Sequence, residues 1–264
     1  MSDPGETLAA LRARAPLVHN ITNLVAMDLS ANLLLAAGAT PVMAHAREEL
    51  PEILAAADAL VVNIGTLSAS WVETMFEAAE AAGAAGKPWV LDPVGAGATA
   101  YRTESAAQLA ALQPRVIRGN ASEIMALAEA AEGGTTRGVD SRMESVEALD
   151  AAFTLAQRTG ACIAVTGGVD YVTDGMSMRA VANGVPMMTR VTAMGCALSG
   201  LVAACLAVTP DGVRASADAL AILGVAGEVA ARDAQGPGSL RWRLLDALHG
   251  LDGATLDALA RIDG

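Results

Sequence analysis

The segment Arg190-Val-Thr-Ala-Met-Gly-Cys-Ala-Leu-Ser-Gly200 runs a short polar turn, Thr192 to Gly195, into an almost wholly apolar stretch, Ala197 to Val208, that reads as a helix. The first amides of such a helix lack intrahelical partners and carry partial positive charge, which makes a docking place for a phosphoryl group or another anion. Cys196 stands at its mouth, one residue after a glycine. A thiol there is a nucleophile, a base or a small apolar filler. Its pKa, about 8.5 when free, falls at a helix N-terminus, yet no His with Asn or Asp can be assigned as its partner.

Four further groups carry candidate chemistry. Asp92-Pro-Val-Gly-Ala-Gly-Ala-Thr-Ala100 has the Gly95-x-Gly97-x-x-Ala100 spacing of a dinucleotide fingerprint. The acidic residue expected about 20 positions on is replaced here by Arg118-Gly-Asn120. Asp92, before a glycine-rich turn, suits a magnesium-linked carboxylate, the alternative being a turn-capping Asp. Asn120-Ala-Ser-Glu123 has the pattern of a capping box; functionally, Glu123 with Asp92 would orient water around Mg²⁺, a hard ion that favours oxygen ligands. Arg118 is either an ion-pair partner or a triphosphate contact through its fork of donors. Thr166-Gly167-Gly168 is either a tight turn or a hydroxyl with amides facing phosphate. No GxxxxGK[ST] pattern occurs, so nucleotide chemistry here needs another phosphate architecture. His19, His45 and His249 lack metal-ligand spacing, and Met43, Cys162 and Cys205 read as core.

The elements that must position these residues alternate. Thr40–Ala44, Ala59–Ile64, Pro88–Asp92, Arg115–Arg118 and Ala161–Thr166 read as buried strands. Asn23–Ala37, Ala46–Ala57, Ser68–Ala85, Thr103–Leu112, Ala121–Ala131 and Ser145–Arg158 read as helices. That order predicts an α/β fold with a mostly parallel sheet covered on both faces. Tyr171–Thr173, Ser177–Asn183 and Pro186–Thr189 add a small antiparallel extension through Asp174-Gly175 and Asn183-Gly184 turns. Long helices follow at about 194–208, 211–234 and 238–249. The most loop-like internal stretch, Glu132–Gly138, is not a domain boundary, and residues 1–264 are expected to form a single domain. Ligands of open α/β sheets bind at the carboxyl ends of the strands, which puts Asn63, Asp92, Arg118 to Asn120, Thr166 to Gly168 and Thr192 to Cys196 on one rim.

Composition narrows the partners. Hydrophobic residues make up 53% of the 264, with 3% aromatic, so Ala, Val, Leu, Ile and Met must build the core. No apolar run reaches the roughly 18 residues of a membrane span, and the acidic start, Met1-Ser-Asp-Pro-Gly-Glu6, lacks the order of a signal peptide. Three cysteines without a CxxC pair fit a reducing cytosol. A formal net charge of −12 disfavours nucleic acid or an anionic membrane as partner, though not ATP, whose site is made locally.

Six motifs then fall in one order: Val18-His-Asn-Ile-Thr-Asn23, Pro41-Val-Met43, Asp92-Pro-Val-Gly-Ala-Gly97, Gly119-Asn-Ala-Ser-Glu123, Val165-Thr-Gly167 and Val191-Thr-Ala-Met-Gly-Cys-Ala-Leu-Ser199. Together, over nearly the whole chain, they make it similar to the hydroxyethylthiazole kinase family of the ribokinase-like superfamily. The resemblance implies a ribokinase-like fold. It also implies phosphate transfer from ATP, with Mg²⁺, to the hydroxyethyl group of 4-methyl-5-(2-hydroxyethyl)thiazole, for thiamine diphosphate salvage in the cytoplasm. By position it makes Met43, Asn23, Val25 and Ala193 substrate contacts, and Arg118, Thr166, Gly167 and Asn120 ATP contacts. Asp92 and Glu123 become the metal-organising acids, and Gly195 and Cys196 the catalytic pair. Cys196 falls where related sugar and vitamin kinases carry an Asp acting as base. The family is commonly trimeric with shared active sites, which implies a homotrimer. Where the family's loop often reads Gly-Thr-Gly-Cys, this chain has Ala193-Met-Gly-Cys196, adding a Cβ and removing a hydroxyl. The competing readings are another ribokinase-like kinase (for a hydroxymethylpyrimidine or a sugar), a dinucleotide-dependent oxidoreductase, and a non-catalytic thiazole or nucleotide binder.

Overall fold

β-branched runs suit a pleated, buried surface and alanine-rich stretches suit helices, so this chain is built to alternate. A computed structural model, which describes residues 3–131, 133 and 145–264, shows the alternation beginning at the first described residues. Helix α1 (Pro4–Arg14) leads into β1 (Leu17–Ile21), α2 (Met27–Ala37), β2 (Thr40–Val42), α3 (Leu50–Ala56), β3 (Ala59–Asn63), α4 (Ala69–Ala84) and β4 (Trp89–Asp92). Then come α5 (Ala100–Ala110), β5 (Val116–Asn120), α6 (Ala121–Ala131), α7 (Leu149–Thr159) and β6 (Cys162–Thr166). The hairpin β7 (Asp170–Thr173) and β8 (Met178–Val181) precedes α8 (Met194–Val208), α9 (Gly212–Ala231), α10 (Pro237–Gly250), α11 (Gly253–Leu259) and the short β9 (Ile262–Asp263).

The strands form one sheet in the order β2-β1-β3-β4-β5-β6-β7-β8-β9, parallel from β2 to β6 and antiparallel beyond. Helices cover both faces, as the α/β reading expected. Period-two alternation divides the strand residues between two cores: Val61 packs with α2, α8 and α9, while Leu60 and Val62 pack with α4 and α6. Helix α8 is buried from Ala197 to Leu206 and touches β1, β3 and β4, as an all-round apolar helix must be. Among the described residues no helix is long and apolar enough to cross a membrane.

Several elements differ from the sequence reading. Strand β1 was hidden because polar His19 and Asn20, both buried, interrupt its apolar run. Helix α2 starts at Met27 rather than Asn23, because the Asn23 side chain accepts the Val25 and Ala26 amides and holds a turn there. Met43 follows β2 instead of lying on it. Pro186–Arg190 is a 3₁₀ turn and not a strand: Pro186 has no N–H for a ladder, and the Met188 N–H donates to the Val185 carbonyl at 3.0 Å. The loop-like stretch 132–138 lies, apart from Gly133, outside the described residues.

Helix α9 closes against the end of β8 through glycine. A Cβ on Gly224 would stand 2.5 Å from Asn183 Cβ and 2.8 Å from its backbone carbon, whereas one on Gly227 would meet mainly the flexible Met188 Sδ. Gly224→Ala should therefore destabilise the fold by about 1–3 kcal/mol, although alanine favours an unobstructed helix by about 1 kcal/mol. Gly227→Ala should be near neutral. Denaturant midpoints of the two variants check the contrast; equal midpoints would refute it.

Candidate active site

The carboxyl ends of β1, β3, β4, β5 and β6 meet the first turn of α8. At their centre Asp92, the last residue of β4, is fully buried. Its Oδ2 accepts from Asn63 Nδ2 at 2.7 Å and from Ser199 Oγ at 2.8 Å. Among the described residues its Oδ1 has no hydrogen-bond partner, and it faces Arg118 Nη1 at 3.8 Å. Burial pushes the Asp92 pKa up to about 6, with the Glu123 charge adding and Arg118, Ser199 and Asn63 opposing.

From Asp92 a chain of buried amides leads to the thiol. Asn63 Oδ1 accepts from Asn23 Nδ2 at 2.8 Å and from the Gly65 amide at 2.9 Å, and Asn23 Nδ2 also reaches Cys196 Sγ at 3.3 Å. The Cys196 pKa is pushed up to about 11 by burial and by the Asp92 charge, which outweigh the Asn63 and Asn23 hydrogen bonds and Arg118. The lowering expected at a helix N-terminus does not prevail, and Cys196 is a neutral thiol at pH 7.

Helix α8 has no side-chain cap, and its first intrahelical bond runs from the Ala197 N–H to the Ala193 carbonyl. The amides of Met194, Gly195 and Cys196 therefore precede the ladder. Arg118 lies against this turn: a Cβ on Gly195 would come within 2.5 Å of Nη1 and 2.7 Å of Nη2. Arg118 Nη2 donates to Thr166 Oγ1 at 2.7 Å, so the guanidinium and the helix amides aim positive potential at one place. Beside them opens a cavity of about 500 Å³, lined by the polar Arg118, Asn120, Thr166, Gly167 and Gly195 and by the apolar Val185, Met188, Leu198, Leu220 and Leu223. The Gly167 amide itself donates to Asp170 Oδ1.

Glu123 and Asn120 form the capping box that their spacing predicted: Asn120 Oδ1 accepts the Glu123 amide at 3.0 Å, and Glu123 Oε2 accepts the Asn120 amide at 2.9 Å. Glu123 Oε1 also accepts the Gly95 amide at 2.9 Å, tying the box to the loop after Asp92. With Gly95 given to Glu123 and the Gly97 amide to Thr103 Oγ1, the glycines of the fingerprint-like turn serve the loop itself and offer no cradle to a dinucleotide. No cluster of three or more His, Cys, Asp or Glu side chains suited to a metal occurs among the described residues. The capping and functional readings of Glu123 thus coexist, since each oxygen that accepts an N–H keeps another lone pair.

Of the remaining expected residues, Asn23 is joined to this centre, whereas Met43 and Val25 lie outside the cavity. Met43 is half-buried and Val25 is exposed, as is its neighbour Leu24. His19 Nε2 holds the Ala44 carbonyl at 2.9 Å beside Met43, and burial lowers its pKa, so the ring is neutral. Two residues escaped the sequence reading. Ser199 is the one hydroxyl in an apolar helix, four residues after Gly195, and that spacing was the available signal. Arg102 donates to the carbonyls of Ile64, Val94 and Gly65, joining the loops after β3 and β4; nothing local marks it.

The fold is ribokinase-like: a ribokinase-like superfamily protein from Enterococcus faecalis V583 superposes with a TM-score of 0.65 over 91% of this chain and 88% of its own, at 15% identity. The match then narrows. The model of the hydroxyethylthiazole kinase family covers residues 8–253, and the chain belongs to that family. A hydroxyethylthiazole kinase of Rhizobium leguminosarum bv. trifolii is 54% identical over 98% of this chain and 97% of its own. The structure of the hydroxyethylthiazole kinase protein of Pyrococcus horikoshii OT3 superposes with a TM-score of 0.92 at 42% identity, covering 98% of each chain.

Two predictions follow from the geometry. Ala193 is held at φ 65°, in the left-handed region, which costs a non-glycine residue about 1–2 kcal/mol. Against the roughly 0.5–1 kcal/mol that glycine loses in chain entropy, Ala193→Gly should stabilise the protein by up to about 1 kcal/mol, read as a higher melting temperature. Asp92 binds its proton more tightly folded, at about 6, than at its ordinary value of 3.8. The stability it contributes is complete below about pH 4 and lost as pH rises through 6. Metal-free Asp92→Asn should therefore gain on the parent across that window, by up to about 2–3 kcal/mol at pH 8, while losing activity. A stability difference that does not change between pH 4 and 8 would refute the shift.

Proposed function

We propose that residues 1–264 act as one kinase domain that phosphorylates the hydroxyethyl group of 4-methyl-5-(2-hydroxyethyl)thiazole with ATP and Mg²⁺, for thiamine diphosphate salvage. The observation that carries this reading is that the Arg118 guanidinium, 3.8 Å from the buried Asp92 carboxylate, lies against the first turn of α8, whose Met194 and Gly195 line the same cavity. Phosphoryl transfer asks for positioning and charge stabilisation more than for covalent chemistry, and this arrangement offers both. The polar lining of the cavity suits the triphosphate and the apolar lining the base.

Asp92 and Glu123 fit a magnesium site. The unpaired buried Oδ1 of Asp92 and the spare lone pairs of Glu123 give few protein ligands, and Mg²⁺ keeps waters and substrate phosphates for the rest of its shell. When bound, the ion supplies charge neutralisation of the phosphate oxygens. Asn63 and Ser199 hold Asp92 in place, and Arg118 and the α8 amides receive the transferring phosphoryl oxygens. Asn23 fixes the Cys196 thiol, which, being neutral, places the acceptor hydroxyl and does not remove its proton early. Met43, Val25 and Ala193 complete the acceptor pocket. The exposure of Leu24 and Val25, 67% and 60% in the single chain, supports a subunit contact there, as in the homotrimer that the family resemblance implies; light scattering that reads a monomer would exclude it.

Incubation with ATP, Mg²⁺ and the thiazole alcohol should give ADP and thiazole phosphate in equal amounts; absence of the phosphate would overturn the reading. In the same assay Cys196→Ala should lower kcat by about tenfold. A loss of the 10²–10⁴-fold typical of a removed general base would instead make the thiol the base.

A further inference from the structure

One acceptor in the nucleotide cavity has no task in the chemistry above. Asp170 opens β7, four residues after Thr166, and lines the same cavity as Arg118 and Thr166 on its polar side and Val185, Leu220 and Leu223 among its apolar residues. Its Oδ1 accepts the Gly167 amide at 2.8 Å, and among the described residues its Oδ2 has no hydrogen-bond partner. The other polar side chains of the wall already hold hydrogen bonds. Asn183 gives Nδ2 to Glu228 Oε1 and the Leu259 carbonyl and receives the Arg261 amide on Oδ1. Thr189 Oγ1 donates to the Pro186 carbonyl, and Asn120 Oδ1 serves Ser122 and the Glu123 amide.

An ionised carboxylate only accepts hydrogen bonds and repels phosphate, so the free Oδ2 is useless to a triphosphate and well suited to a hydroxyl. A nucleotide with its phosphates at Arg118 and its base against apolar lining such as Val185, Leu220 and Leu223 brings its sugar within this same wall. We infer that Asp170 is a further nucleotide-binding residue whose free carboxylate oxygen accepts a hydrogen bond from one ribose hydroxyl, so that the site discriminates against a nucleotide lacking that hydroxyl. The inference rests on the kinase reading of the cavity. Burial pushes the Asp170 pKa up to about 6, against the Gly167 amide and Arg118, which leaves the carboxylate ionised at pH 7.5.

Calorimetry with Mg²⁺ and ADP, 2′-deoxy-ADP or 3′-deoxy-ADP tests this without an acceptor substrate. The parent should bind one deoxy analogue at least tenfold more weakly than ADP. Asp170→Ala should bind ADP about tenfold more weakly than the parent and treat ADP and that analogue alike. Asp170→Asn keeps an oxygen for the Gly167 amide, and therefore the turn; its discrimination should fall to a few-fold, and it decides the matter if the alanine variant does not fold. Discrimination that survives unchanged in the variants overturns the assignment and leaves the kinase reading standing, as does a parent that binds all three equally. Tighter ADP binding by Asp170→Ala overturns it too, because the carboxylate would then be only occupying an anion's place. A parent that binds no adenine nucleotide removes the kinase reading and this inference together.

Discussion

Everything at the rim is arranged around one buried carboxylate. Taking an ion such as Asp92 out of water costs several kcal/mol unless its lone pairs and charge are met. The fold meets them on one oxygen only: Asn63 and Ser199 donate to Oδ2, while Oδ1 keeps nothing but the field of Arg118 at 3.8 Å. Each partner arrives from a different element. Asn63 ends β3, Arg118 lies on β5 and Ser199 sits in the second turn of α8. The carboxylate therefore exists in this state only when sheet and helix are docked, and the docking leaves one oxygen facing the site.

That constraint sets the chemistry available to Cys196. A negative group nearby and a buried position both disfavour a thiolate, so the sulfur accepts the Asn23 amide as a neutral atom. The amides of the α8 turn and the guanidinium of Arg118 are then free to serve an incoming anion, because no thiolate neutralises them. Gly195 makes this possible by leaving room for Arg118, and Ala193 accepts a left-handed conformation to start the helix at that place. Strain of this kind is tolerated where the surroundings fix the backbone, and here the closely packed α8 does so.

Much was legible without coordinates. The strand–helix alternation, the polar residues after each strand and the helix after Gly195 all follow from hydrophobic period and strand-end placement, and the comparisons bear out the family that the six motifs suggested. The capping box at Asn120 and Glu123 was legible because its two residues are local. Strand β1 was not, since two buried polar residues break its apolar run and only β2 and β3 on either side make it a strand. Pro186–Thr189 was misread because Met187 and Met188 pack on the core from a turn, something periodicity over four residues cannot show.

By itself, the sequence determined the fold class, the order of the rim residues and the kind of anion site at Gly195, because each depends on near neighbours or on period. Tertiary structure alone decided which bonds those residues make. It assigned the Gly95 and Gly97 amides to Glu123 and Thr103 and ended the dinucleotide reading. It linked Asp92 to Cys196 through Asn63 and Asn23, and it raised the thiol's pKa where a helix terminus alone would lower it. Burial and cross-strand distance set those outcomes, and neither is a property of any short stretch of chain.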